Sequence, residues 1–272
     1  MRRYEIGAVK LRIFTGFSYL PFMIRILRVL YRLMVFPAAT FVIVLVATFF
    51  KVFRLGPKHL SNIIRTWARL MRWLMRVEME VSGNIPSVPA VIVSNHRSYL
   101  DVIMIPCSTT FAFVAKSSVQ KWPIIGWGAT MVSTIFVNRE DPDSRRTTRE
   151  QILQRLKENK SVIIFPEGTT HRGPDVLPFK PGMFYAAAQG DIPVIPVALE
   201  YQKPGMAWVG DDTFLGHFFR EFHTRTIRIK VRFGEPLTDT DGEALNNTCH
   251  TWISEQALRM REEWDELRDA KS

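Results

Sequence analysis

The 272-residue chain, 47% hydrophobic and 23% charged, is long and apolar enough to bury a sizeable core, which excludes an intrinsically disordered protein. Its two cysteines, Cys107 and Cys249, lie far apart with no CxxC and no histidine at zinc spacing, so both read as reduced core residues of an intracellular protein rather than a disulfide or a metal clip. The net charge of +10 is uneven: residues 1–77 hold fourteen Lys and Arg against the single acid Glu5, while the rest carries 22 basic and 25 acidic side chains.

This basic front end is also greasy. A nucleic-acid arm concentrates charge in the same way, but Leu, Ile, Met and Trp interleave the arginines here, which argues for lipid and against nucleic acid. Residues 17–31 are apolar with Arg25 and Arg28 inserted, and residues 33–50, "LMVFPAATFVIVLVATFF", run without a charge. That length sits at the lower edge of a transmembrane helix, which needs about 20 apolar residues. Pro37 interrupts the start of the run, and basic residues flank both sides, so positive-inside bias assigns no orientation. A hairpin dipping into one leaflet, a short tilted span and a buried core helix all fit. The run begins far from Met1 and no A-x-A site follows it, against a cleaved signal peptide.

Residues 59–76 predict an amphipathic helix. Leu60, Ile63, Ile64, Trp67, Leu70, Met71 and Leu74 recur at steps of three and four, with Arg65, Arg69, Arg72 and Arg76 as a second stripe. The pattern fits a helix lying in a lipid headgroup layer and also one packed on its own domain; beside the preceding apolar run, the membrane reading is favoured. Residues 1–77 are thus expected to form a membrane-associated helical segment.

From residue 78 the pattern changes to short Val- and Ile-rich runs at 90–95, 111–116, 133–138, 161–166, 192–199 and 226–234. Helical segments are predicted over 144–159, 183–189 and 243–267, with no internal repeats. This alternation predicts an α/β fold with a largely parallel, buried sheet flanked by helices.

Functional groups in such sheets gather beyond the carboxyl ends of strands. Three polar clusters stand there: "NHRSYLD", "NRED" and "PEGTTHRG". His96 and Asp101 are five residues apart, about 140° around a continuous helix, so they meet only if His96 lies on the loop and Asp101 opens the next helix. The carboxylate would then fix the imidazole tautomer and leave the other nitrogen as a general base. Taken alone, the pair also reads as a capping aspartate and an incidental histidine. No G-x-S-x-G elbow supplies a nucleophile, so the base would activate a hydroxyl of the substrate. The spacings of His96, Asp101 and His171 match no metal site. Gly168 permits close backbone approach and Thr169 can hydrogen-bond ligand oxygens, beside Glu167; Lys116 and Arg139 are candidate anion contacts.

With these blocks in this order the sequence resembles the glycerolipid acyltransferase family, which includes the bacterial 1-acylglycerol-3-phosphate acyltransferases. "NHRSYLD" is similar to the family's NHxxxxD block, Lys116 with "WPIIGWG" and "IFVNR" to the second, "FPEGT" to the third and "IPVIPVAL" to the fourth. The resemblance implies an acyltransferase catalytic domain over residues 78–272, moving a fatty acyl group from a thioester to the hydroxyl of lysophosphatidic acid without an acyl-enzyme. It implies His96 as base, Asp101 as its orienter and Arg139 on the acceptor's phosphate. Glu167, Gly168 and Thr169 would shape the acceptor pocket, with Pro193 and Pro196 beside it. It implies no cofactor: the donor is acyl-CoA or an acyl carrier protein, and the partner is membrane lipid. It also implies an inner-membrane protein with its site on the cytoplasmic side. One departure stands out. Many phosphate-acceptor members carry arginine after "FPEGT", whereas here Thr170 and His171 precede Arg172, which is also expected to bind substrate. "AWVGDD" and His217 resemble a branch that includes acyltransferases of lyso-ornithine lipids, an alternative acceptor without phosphate. A non-catalytic membrane-binding protein on the same fold would carry damaged blocks, and these are intact.

Overall fold

A computed structural model describes residues 20–53, 57–106, 111–122, 124–131, 134–138 and 140–270. Arg139 and Cys107 therefore lie outside the described residues, as does the basic stretch before Leu20.

The apolar front end is one helix, α1 (Leu20–Val52), which continues through Pro37. At 1.5 Å per residue its 33 residues extend about 50 Å, and it is long and apolar enough to cross a membrane. It forms an antiparallel pair with α2 (Pro57–Leu74), through an edge-on contact of Phe36 with Trp67 and a hydrogen bond from Trp67 Nε1 to Thr40 Oγ1. The apolar stripe of α2 faces the protein: Ile64, Ala68 and Met71 are buried, with Trp67, Leu70 and Leu74 packed alongside. Of the two readings of that stripe, packing on its own domain is the one these contacts show.

Seven strands form one sheet in the order β1-β7-β6-β2-β5-β3-β4. They are β1 (Val77–Ser82), β2 (Val91–Ser94), β3 (Phe111–Lys116), β4 (Ile135–Val137), β5 (Ser161–Ile164), β6 (Val194–Tyr201) and β7 (Ile227–Phe233). The five from β6 to β4 are parallel; β7 runs antiparallel to β6, and β1 pairs parallel with β7. β1 carries no apolar run, because an edge strand needs only one covered face and its Glu78 and Glu80 keep the open side soluble.

Side chains alternate across the sheet. Ile92, Ile163, Ile195, Val197 and Ile229 enter a core shared with α1, α2, α3 (Asp101–Met104) and Phe218 of α7 (Phe214–Glu221). Val91, Val93, Val162, Val194 and Ala198 enter a second core on the other face, with α5 (Pro142–Lys157), α6 (Gly182–Gln189) and α8 (Gly242–Asp269). A short α4 (Ile125–Met131) packs on α1. The boundary expected at residue 77 falls where α2 gives way to β1, although both sides share one core.

Candidate active site

The carboxyl ends of β2, β5 and β3 lie side by side, and the clusters that follow β2 and β5 meet there. Beyond Ser94, the buried Asn95 pins the β2 loop by hydrogen-bonding both the N–H and the carbonyl of Leu199 on β6. His96 then stacks on Phe165 of the β5 loop, with ring centroids 4.2 Å apart. Its Nδ1 lies 2.7 Å from Asp101 Oδ2, the carboxylate fully buried at the first residue of α3.

Asp101 closes its loop and partners the ring at once. Oδ2 also accepts from the N–H groups of Arg97 (2.6 Å) and Ser98 (2.9 Å), and Oδ1 accepts from Tyr201 Oη at 2.8 Å. A carboxylate surrounded by donors is held as an acceptor, so Nδ1 of His96 carries the proton that faces it. Nε2 makes no hydrogen bond among the described residues, on a side chain 18% exposed. The capping reading does not hold, since the N-cap of α3 is Leu100 with no side-chain bond; the carboxylate instead closes the preceding loop through the Arg97 and Ser98 N–H groups, and that places it against the ring.

Glu167 turns inward rather than lining an open pocket. It is 5% exposed, and its two oxygens accept from the N–H groups of His96 (2.6 Å) and Leu177 (2.9 Å), tying the β2 and β5 loops together. Burial raises this carboxyl above its ordinary value, opposed by those two hydrogen bonds and by Arg97. Gly168 adopts φ +74°, and a Cβ there would stand 2.8 Å from Lys180 Nζ, so the exposed Lys180 ammonium lies directly over the loop. Thr169 and Arg172 are exposed on the same loop, and Lys116 is exposed at the end of β3. Pro193 and Pro196 are not beside this site. Pro193 accepts from Val91 at the amino end of the β2–β6 ladder, and Pro196, level with Val93, packs towards Gly234 and Trp252 on the α8 face.

Arg97 anchors the whole arrangement from below. It is 1% exposed, donates to Glu200 Oε2 at 3.0 Å and to the carbonyls of His171, Pro174 and Asp175. Arg261 of α8 binds the other oxygen of Glu200. Gly173 is required here: its φ is +74°, and a Cβ would fall 2.6 Å from Arg97 Cζ. Tyr201, Arg97, Glu200 and Lys180 were not singled out from the sequence. A buried arginine and a surface one look alike in a string of letters, and Tyr201 is a hundred residues from the aspartate it serves.

Beside α3 lies a cavity of about 150 Å³, lined among others by Val102, Phe113, Val44, Ile64 and Trp67, with Gly128 of α4 at its wall. Cavities of that size lined by aliphatic side chains stay dry and accept apolar guests.

Residues 76–200 match the family model described as Acyltransferase. Over 186 residues the chain is 33% identical to the lyso-ornithine lipid O-acyltransferase of Brucella abortus, spanning 61% of this chain and 70% of that protein. The chain belongs to the acyltransferase family. This acyltransferase is also 30% identical over 218 residues to the lyso-ornithine lipid O-acyltransferase of Rhizobium meliloti, spanning 72% and 73% of the two chains. To the 1-acyl-sn-glycerol-3-phosphate acyltransferase of Neisseria gonorrhoeae it is 29% identical over 167 residues, spanning 58% and 64%. Its fold is that of the crystal structure of the 1-acyl-sn-glycerophosphate acyltransferase from Thermotoga maritima, with a TM-score of 0.68 at 21% identity, covering 89% and 98% of the chains.

Proposed function

We propose that this acyltransferase moves a fatty acyl group from a thioester to the free hydroxyl of a lysolipid, with lysophosphatidic acid as acceptor and phosphatidic acid as product. The observation that carries the mechanism is His96 Nδ1 at 2.7 Å from a fully buried Asp101 carboxylate, which leaves Nε2 facing the site as a base. Nε2 takes the hydroxyl proton as the oxygen attacks the thioester carbonyl, and Asp101 stabilises the imidazolium that forms. The proton then goes to the departing thiolate, so no acyl-enzyme is needed. Lys116 and Arg139 hold the acceptor's phosphate, with Lys180 over Gly168 as a further cation. The apolar cavity beside α3 takes part of the acyl chain. The donor is acyl-CoA or an acyl carrier protein, and α1 holds the enzyme at the inner membrane with the site facing the cytoplasm.

A second acceptor, lyso-ornithine lipid, is favoured by a specific feature. The position after "FPEGT" offers Thr170, whose hydroxyl is engaged by the Trp208 carbonyl, and His171, whose Nε2 lies 3.0 Å from Asp175. The exposed Arg172, Asp175 and Lys180 present both signs of charge on this rim, as a zwitterionic headgroup requires. Two relatives at 30% identity or above carry that name. Purified protein in micelles, given each acceptor with each donor, distinguishes the two by which ester forms. Ester formation at the normal rate by His96→Ala would overturn the mechanism for both.

A further inference from the structure

At the opposite edge of the sheet from the apolar cavity lies a second cleft, of about 850 Å³, between the first half of α1, the end of α2 and the starts of β1 and β7. Arg28, Arg32, Arg72, Arg76, Arg225 and Arg228 line it, against one acid, Glu78, which Arg228 already engages at 2.7 Å. Three strand spacings separate β1 from β2, about 14 Å, so the cleft is distinct from the His96 site.

Two features mark it as built to hold an anion. Arg32 is 1% exposed, and its guanidinium donates to the carbonyls of Phe222, Thr224, Met75 and Arg225. Those oxygens satisfy its hydrogen bonds but carry no net charge, and among the described residues it pairs with no carboxylate. A buried cation without a counter-charge is costly, and an anion in the cleft supplies one. Arg76 adopts φ +55°, a left-handed conformation that a helix end ordinarily gives to glycine or asparagine. It stands at the turn from α2 into β1 and places a cationic side chain on the cleft wall.

The surroundings indicate where the anion comes from. Trp73 and Tyr31 line the same cleft and are 73% and 48% exposed, and Leu27, Leu30 and Met34 of α1 stand exposed beside them. Exposed aromatics next to arginines at the start of an apolar helix match the level of lipid headgroups. We propose that this arginine cleft is a non-catalytic binding site for the phosphate headgroup of an anionic membrane phospholipid, whose acyl chains lie along the exposed face of α1. Arginine forks suit phosphate oxygens, and the hydrogen bond from Arg72 to the Ile103 carbonyl ties the cleft wall to α3.

The test uses the full chain in neutral-detergent micelles with no acyl donor present, so its result does not depend on turnover. Dihexanoyl phosphatidylglycerol, dihexanoyl phosphatidylcholine, inorganic phosphate and coenzyme A are each titrated by calorimetry. Arg76→Gln with Arg225→Gln should weaken phosphatidylglycerol binding about 30-fold at low salt. Arg146→Gln with Arg259→Gln, which removes the same charge from exposed positions on α5 and α8, should leave it unchanged. Should the first pair unfold, Arg225→Glu alone, at an exposed position, carries the same expectation. Equal losses in both pairs, binding of inorganic phosphate as tight as that of the lipid, or a loss confined to coenzyme A would overturn the proposal.

Discussion

Replacing Asp101 by asparagine isolates the charge of the dyad from its geometry. The amide oxygen can still accept from His96 Nδ1 and from the N–H groups of Arg97 and Ser98, while the amide nitrogen faces Tyr201 Oη, which can turn to accept. Shape and hydrogen-bond count survive; the negative charge beside the imidazole does not. With nitrogen and oxygen 2.7 Å apart, the charge centres of the imidazolium and carboxylate stand about 4 Å from each other, worth about 4 kcal/mol at the effective dielectric of a protein site. That interaction exists only once the ring has taken the hydroxyl proton, so its loss falls on the transition state and lowers kcat by about 10³. Thiol release from an acyl thioester in the presence of lysolipid measures it, with thermal unfolding as the control for folding. A folded Asp101→Asn protein within tenfold of wild type would refute the reasoning, because the carboxylate would then serve only to close its loop.

Three further outcomes follow from the neighbouring structure. Glu200→Gln strips the carboxylate shared by two buried arginines, Arg97 and Arg261, and should cost about 3–5 kcal/mol in urea unfolding; a loss under about 1 kcal/mol would show that the carbonyls around Arg97 suffice. Burial holds His217 below its ordinary value, against the opposing pull of the Gly205 carbonyl and Glu221, while Tyr99 Oη bonds its Nδ1 and Arg220 and Asp212 lie nearby. A base whose folded value is depressed contributes stability that is complete above about pH 6.5 and is lost as the pH falls through the folded value, so melting should drop as the pH falls below about 6.5 and His217→Gln should flatten that drop. Gly128 stands where an added Cβ would meet Val44 Cγ2 at 3.0 Å on the cavity wall, so Gly128→Leu should shift donor preference towards shorter acyl chains in a competition assay; an unchanged preference would place the chain elsewhere.

The pairing of His96 with Asp101 was legible before any fold was known, because a five-residue separation allows only one arrangement, a loop histidine against a helix-opening aspartate, and the later blocks fell in a recognisable order. The parallel sheet was legible too, since strands buried on both faces must be continuously apolar. What sequence could not supply is partnership between distant residues. β1 escaped notice because an edge strand needs no apolar run. The stripe of α2 carries the same periodicity whether lipid or protein covers it, and only the packed core shows that protein covers most of it. Glu167 stands in a motif that suggests contact with substrate, yet its oxygens are taken by two backbone N–H groups that no spacing reveals. Local periodicity and motif order are properties of the chain itself, whereas the counter-charge of Arg97, the hydroxyl on Asp101 and the uncompensated Arg32 are set by which segments the fold brings together. The first two pairings separate residues that merely stand near the site from residues that hold it in place.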